Sequence, residues 1–454
     1  MALNILIPFS WGSGIKMHNY SEAVAIAILF SSFFLFMIIR IPIAFSLILS
    51  SIASAIYMHL PIMALAQSMA KGVQSMALLT IPLFILAGEI MSQGGISKRM
   101  VGFANSLVGR VRGGLAMVDV LACMFFGGVS GSCVADVSAI GAIMIPMMKD
   151  KGYDNDYAVG ITISGAVQGV LVPPSHNMIL YSIAAGTIGG GASVGALFLA
   201  GIIPGVVLAI CLMIAAFILA VLRKYPKGNK FSLSLLFKTF RHAFLGLLTA
   251  IIILVGILSG VFTAAESYAV AVVYAFIITF FVYREVPLTQ MKGVLYKTTK
   301  TLAMVMSLIA TASAFGYMLA QLQVPHKITE VILSLTSNKN LLLLLINVLL
   351  LFLGCIMDMA PLILICTPIL LPALVTFGVH PVHFGVIMML NLGIGLLTPP
   401  VGSALYVGCA IGDIRIDKLT KSMAPLYLTL VIVLMIITYI PEIVSFLPRL
   451  FHFM

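Results

Sequence analysis

Two apolar stretches of this chain, each long enough to cross a bilayer, are interrupted by adjacent prolines: Pro173-Pro174 and Pro399-Pro400. Proline lacks an N–H and clashes with the preceding turn, so each pair breaks the helix it sits in. The two interruptions share upstream landmarks. Asp136 and Pro146 precede the first, Asp358 and Pro368 the second, and each lies 222 residues from its counterpart; the proline pairs are 226 residues apart. A membrane chain broken at corresponding points of its two halves reads as a secondary transporter. In that architecture broken helices at the repeat interface form the substrate and ion sites.

Charge and hydropathy restrict the alternatives. Of 454 residues, 61% are hydrophobic and 9% charged, with mean hydropathy +1.18, against about 25% charge in soluble domains. The chain is an all-α polytopic membrane protein. Its polar stretches, near 149–156, 223–242 and 284–300, are too short for a nucleotide-binding domain, and no GxxxxGK[ST] motif occurs. The net charge of +11 points to cytoplasmic loops of a bilayer protein, not to nucleic acid. The six cysteines lack metal-type spacing and read as small buried hydrophobes. No cleaved signal peptide is expected.

Spans are expected near 21–39, 42–59, 79–95, 157–190 (broken) and 195–222, after an N-terminal extension at 1–20 that holds Trp11. A second set falls near 243–260, 265–283, 301–323, 384–412 (broken) and 423–447. Hairpins are expected at 115–148, turning over Gly127 to Ser132, and at 341–377, turning over Gly354 to Asp358. Repeat 1 is then 21–222, a basic linker 223–242 and repeat 2 243–454. With both termini outside, 20 Lys and Arg fall inside and five (Lys16, Lys71, Lys327, Lys339, Arg449) outside, as the positive-inside rule requires. Five spans plus one re-entrant hairpin per half give two inverted repeats. The linker reads either as a topology signal or as a surface for anionic lipid.

Irregular backbone at membrane depth is tolerated only where protein buries it or water reaches it, so hairpin tips and proline breaks mark a polar centre. Each break leaves carbonyls on the half-helix before it, which suit a cation, and N–H groups on the one after it, which suit an anion. Ser175 and Asn177 follow the first break; Thr398 precedes the second, and Gly402 and Ser403 follow it. Asp136 and Asp358 are either ion ligands or caps that fix the tips. Glu89 and Asp119 read as structural hydrogen-bonding groups, Glu266 as solvated, and His176 as a structural residue before a proton carrier. No HExxH or other protease pattern favours an intramembrane enzyme.

At these residues the chain resembles the large membrane subunit of tripartite ATP-independent periplasmic (TRAP) transporters. The motifs that carry the resemblance are Pro82 to Met91, Ser130-Gly131-Ser132 with Ala135-Asp136, Pro173 to Asn177, Met357-Asp358 with Pro361, and Thr398 to Gly402. Cys133 stands where a small or hydroxyl residue is common. The resemblance implies an elevator-type ion-transporter fold in a bacterial inner membrane. It implies two partners: a small membrane subunit, and an extracytoplasmic solute-binding protein that delivers an organic acid such as a C4-dicarboxylate, sialic acid or a sugar acid. It implies Na⁺ coupling, with one ion site at Ser130, Ser132, Pro173 and Ser175 and another at Gly354, Met357, Thr398 and Val401. The substrate is expected at Ser132, Ser175, Asn177, Gly402 and Ser403. A stand-alone dicarboxylate or anion symporter of similar fold is the alternative.

Overall fold

The structure, a computed structural model, describes residues 21–74, 76–186, 191–227, 232–335 and 338–454. The extension 1–20, with Trp11 and Lys16, and linker residues 228–231 lie outside the described residues. Among those described, helices dominate and the single β feature is a bridge between Arg112 and Lys227.

In the first half, α1 (Glu22–Ile38), α2 (Ile43–Tyr57), α3 (Ile62–Val73), α4 (Thr80–Gln93) and α5 (Ile96–Val108) precede the first hairpin. That hairpin is α6 (Gly114–Ser130) and α7 (Cys133–Asp150). Then come α8 (Asn155–Ala166), its short continuation α9 (Gln168–Leu171), α10 (His176–Gly186) and α11 (Val194–Leu222). The second half opens with α12 (Leu233–Leu258), α13 (Ala264–Ile277), α14 (Met291–Gln321) and α15 (Val324–Leu335). Its hairpin is α16 (Lys339–Gly354) and α17 (Met359–Thr376). There follow α18 (Pro381–Gly395), α19 (Ser403–Gly412), α20 (Ile416–Ser422), α21 (Ala424–Tyr439) and α22 (Pro441–Leu450).

Among the described residues six helices are long and apolar enough to cross a bilayer, or eight if two bent pairs each count as one span. The expected spans at 21–39, 42–59 and 79–95 are helices of 17, 15 and 14 residues, shorter than the roughly 20 residues of a full crossing. Pro42 and Pro61, at the N-caps of α2 and α3, punctuate this region. The expected span at 423–447 divides at Ile440-Pro441 into α21 and an amphipathic α22. In contrast, α14 runs back to Met291 and takes up Lys292, Lys297 and Lys300, and Lys238 and Arg241 ride on α12 rather than in a loop.

Burial sorts the helices into an inner and an outer group. Every residue of α8 from Tyr157 to Ala166, and of α18 from Val382 to Gly395, is buried. A helix apolar all round belongs in a core, and these two are the half-helices that end at the proline breaks. Both hairpins, α10, α11 and α19 pack around them. Outside lie α1, α2, α3 and α14, which pack on one another, and α12 and α13, which pack against α5 and α4; these carry exposed apolar side chains such as Phe45, Phe237 and Val273. The packing is crossed between halves: α10 lies against α17, and α19 lies against α7.

Charged residues near several helix ends contact one another. Arg99 pairs with Glu285 at 2.5 Å. Arg223 reaches Asp154 at 3.0 Å, Asp156 at 3.1 Å and the Ser422 hydroxyl at 3.3 Å. Of the charges expected outside, Lys327 pairs with Glu22, and Lys339 donates to the Gly378 carbonyl at 3.1 Å.

Candidate functional site

The first hairpin turns at Gly131-Ser132, not over the longer run from Gly127. Gly131 has φ +58°, in the left-handed region glycine tolerates, and Ser132 caps α7, its hydroxyl accepting from the Ala135 N–H at 3.5 Å. Gly127 and Gly128 stay helical in α6, where their missing side chains permit close approach. A Cβ built on Gly127 would lie 2.6 Å from the Gly169 Cα, and one on Gly128 would lie 3.1 Å from the Pro173 carbonyl oxygen. The hairpin is thus seated against the first helix break.

Asp136 completes this seat. It is fully buried in the first turn of α7, accepts from the Ser130 hydroxyl, and lies against Gly127 and Gly169. Its Oδ2 has no hydrogen-bond partner within the protein. It is not the cap, since Ser132 holds that position. The Ser132 N–H donates to the Ser130 hydroxyl at 3.2 Å. Across the tip, Ser175 is fully buried with its hydroxyl unpartnered. His176 bonds the Gly131 backbone and packs on Phe84 with ring centroids 5.5 Å apart. Asn177 is buried in the first turn of α10. The structure therefore gathers Ser130, Ser132, Asp136, Pro173 and Ser175 around one tip.

The second hairpin meets the second break in the same manner. A Cβ on Gly395, at the end of α18, would lie 2.6 Å from the Gly354 Cα. The Val401 N–H donates to the Cys355 carbonyl at 3.1 Å, and the Cys355 thiol contacts the Thr398 hydroxyl, which donates to the Ile394 carbonyl at 2.9 Å. Met357 is buried beside the tip, whereas Asp358 is exposed at the N-cap position of α17. Gly402, at φ +22°, leads into α19, and the Ser403 hydroxyl is buried without a partner.

Both peptide bonds within the proline pairs are cis. Each break offers carbonyls at the end of one helix and N–H groups at the start of the next, with hydroxyls alongside. That donor set suits a hard monovalent cation and a carboxylate. Among the described residues no cluster of three His, Cys, Asp or Glu side chains forms a metal site.

Polar groups that support the hairpins lie deeper. Asp119 on α6 accepts from the Thr162 hydroxyl of α8 and faces the Cys123 thiol. Gln168 donates to the Val120 carbonyl at 3.1 Å. In the other half Asn391 on α18 donates to the Asn347 side chain on α16 at 2.9 Å, and Asn347 donates to Thr438 at 2.9 Å. Sequence reasoning passed over the two asparagines; a lone amide inside an apolar helical run was their signal. Glu89 bonds Gln93 at 2.6 Å and lies 3.5 Å from Lys297. Glu266 forms a capping box with Thr263.

This chain matches known proteins over most of its length. Residues 30–443 match the family model described as the DctM component of the tripartite ATP-independent periplasmic transporter. It is 41% identical over 436 residues to the uncharacterized protein YgiK of Salmonella typhimurium, covering 95% of this chain and 99% of that one. It is 40% identical over 411 residues to the sialic acid TRAP transporter large permease protein SiaM of Vibrio cholerae, covering 90% and 95%. It is also 40% identical over 372 residues to the C4-dicarboxylate TRAP transporter large permease protein DctM of Pseudomonas aeruginosa, covering 82% and 86%. In fold it is similar to the Alcanivorax borkumensis YdaH transporter, with TM-score 0.60 at 15% identity over 82% of this chain and 86% of that one. The helix breaks and hairpins described above thus belong to a transporter subunit, not an enzyme, and the chain is a member of the TRAP large permease family, the DctM component.

Proposed function

We propose that this chain is the membrane subunit through which an organic acid is carried inward in symport with Na⁺. The carrying observation is the pair of hairpin tips, each seated on a helix break and each with an unpartnered buried hydroxyl, Ser175 or Ser403, beside it. Carbonyls of Pro173 and Gly354 and the groups of Ser130, Ser132, Ser175, Met357, Thr398 and Val401 hold two Na⁺. The N–H ends of α10 and α19, with Ser132, Ser175, Asn177, Gly402 and Ser403, hold the substrate carboxylate. The relatives' sialic acid and C4-dicarboxylate give the substrate class.

The division into buried inner helices and an outer group supports an elevator, in which two inverted repeats contribute hairpins and broken helices to a moving body. Membership of the family supports an inner-membrane setting, and the distribution of positive residues supports both termini outside. A small membrane subunit binds the outer helices, and an extracytoplasmic binding protein delivers the substrate. Two Na⁺ entering with a monoanion move one net charge, worth about 2.3 kcal/mol per 100 mV, or roughly 50-fold accumulation at about 1.4 kcal/mol per tenfold.

Proteoliposomes test this directly. Uptake is expected only when the small subunit and the binding protein are supplied, and only with Na⁺ outside. Equal uptake when K⁺ replaces Na⁺ removes the coupling, and robust uptake by the single chain favours a stand-alone carrier. Thermal-shift screening of the companion binding protein against an organic-acid panel names the substrate.

A further inference from the structure

A cleft of about 450 Å³ runs between the second hairpin and the outer helices, and its lining is wholly apolar. One wall is Phe33 on α1 with Phe315 on α14; the other is the face of α16 from Leu342 to Leu353, continued by Cys366 on α17 and by Met357 at the tip. The volume is in the range of small-molecule sites, yet the cleft offers nothing that orients a polar ligand. Water does not settle stably in such a space, because an ordered water needs two to four polar partners.

The cleft opens sideways. Phe34, Leu345 and Leu349 line it and are 41%, 48% and 43% exposed, so its mouth lies on the apolar flank of the protein. From Leu342 to Leu353 the wall is about 16 Å long at 1.5 Å per residue. That is about half of the roughly 30 Å hydrocarbon core, the depth of one leaflet. A cation stands at the Leu342 end, and a second lies near the lining. Lys339 opens α16 one turn earlier, and Lys327, paired with Glu22, adjoins the lining residue Ile328.

We propose that this cleft is a binding site for one acyl chain of a bilayer phospholipid, with the phosphate at the Lys339 end and the chain end toward Met357. The chain then forms part of the surface between the second hairpin and α1 and α14. The inference stands on the cleft alone and does not depend on the ion that drives transport.

Tryptophan quenching by brominated lipid tests it. Trp11 is the sole tryptophan, so W11F provides a silent background for F315W and F33W, at positions 1% and 3% exposed. F217W, at a 41% exposed site on α11, reports the lipid-facing surface; F384W and F198W, both at fully buried sites off the cleft, report the dry interior. Each full-length variant is reconstituted in phosphatidylcholine with plain or dibrominated chains, after monodisperse elution shows that it has folded. F315W and F33W are expected to lose fluorescence in brominated bilayers to an extent approaching F217W, while the buried controls change little. Quenching no greater than in F384W and F198W overturns the proposal, as does quenching of F315W by aqueous iodide instead of by the brominated chains.

Discussion

The two hairpin–break pairs share a backbone plan but differ in what closes them. In both, a glycine of the hairpin meets a glycine of the half-helix before the break: Gly127 with Gly169, and Gly354 with Gly395. The first is sealed by a side chain, the buried Asp136 bonded to Ser130 at the tip. The second is sealed by backbone, through the Val401 N–H on the Cys355 carbonyl, and its aspartate, Asp358, stays solvent-accessible at the start of α17. Similar spacing in sequence therefore produced one aspartate that protein encloses fully and one that solvent reaches.

Substitutions can break this comparison from either side. The largest effect is expected from Gly395→Val. Its Cβ would fall 2.6 Å from the Gly354 Cα, and overpacking of this kind costs about 1–3 kcal/mol. Uptake should fall to background with a lowered Tm, and normal uptake would show that the glycine contact is dispensable. Asp136→Ala comes next. It removes a fully buried carboxylate and the close acceptor of the half-buried Ser130 hydroxyl, a loss of about 0.5–1.5 kcal/mol for one hydrogen bond. Apparent Na⁺ affinity and Tm should fall together, with Asp136→Asn milder because its carbonyl still accepts.

Asp358→Ala should separate the two quantities, with uptake sharply reduced at limiting Na⁺ but Tm and membrane insertion unchanged. Near-normal uptake there would make the exposed aspartate a bystander. The smallest effect concerns His380, in the loop before α18, whose ring accepts from the Val382 N–H at 3.2 Å. Burial, and then nearby Arg449, hold this imidazole below its ordinary range. It stays neutral in the folded chain where the unfolded chain takes up a proton. Its contribution is therefore complete above about pH 6.5 and is lost as pH falls through the lower folded value. A Tm series from pH 7.5 to 5 should slope less in His380→Asn, which keeps a capping oxygen.

Much of this arrangement was legible in the sequence because it depends on residues with few alternatives. Prolines mark where helices end, and the hydrophobic runs leave a helical membrane protein as the one class available. What escaped was set by tertiary contact. Gly127 and Gly128 look like a turn in sequence, yet they are helical, and their missing side chains make room for Gly169 and the Pro173 carbonyl. The amphipathic helices α3, α5 and α15 were overlooked because their mixed composition reads as loop beside such apolar neighbours. The Asn347–Asn391 bond joins residues 44 apart, and only the packing of α16 on α18 reveals it.

The crossed packing of α10 on α17 and of α19 on α7 has a consequence for biogenesis. As the chain leaves the ribosome, α10 is complete almost two hundred residues before the helix it rests on. Until α17 arrives, the first break has its own hairpin, but α10 beyond it lacks the helix it rests on, and the first half stays incomplete. Pairings between such distant segments are late events in folding, and an exposed intermediate of this kind invites misassembly. A fragment ending at the basic linker should insert into the membrane yet be degraded there, and co-expression of the missing half should rescue it.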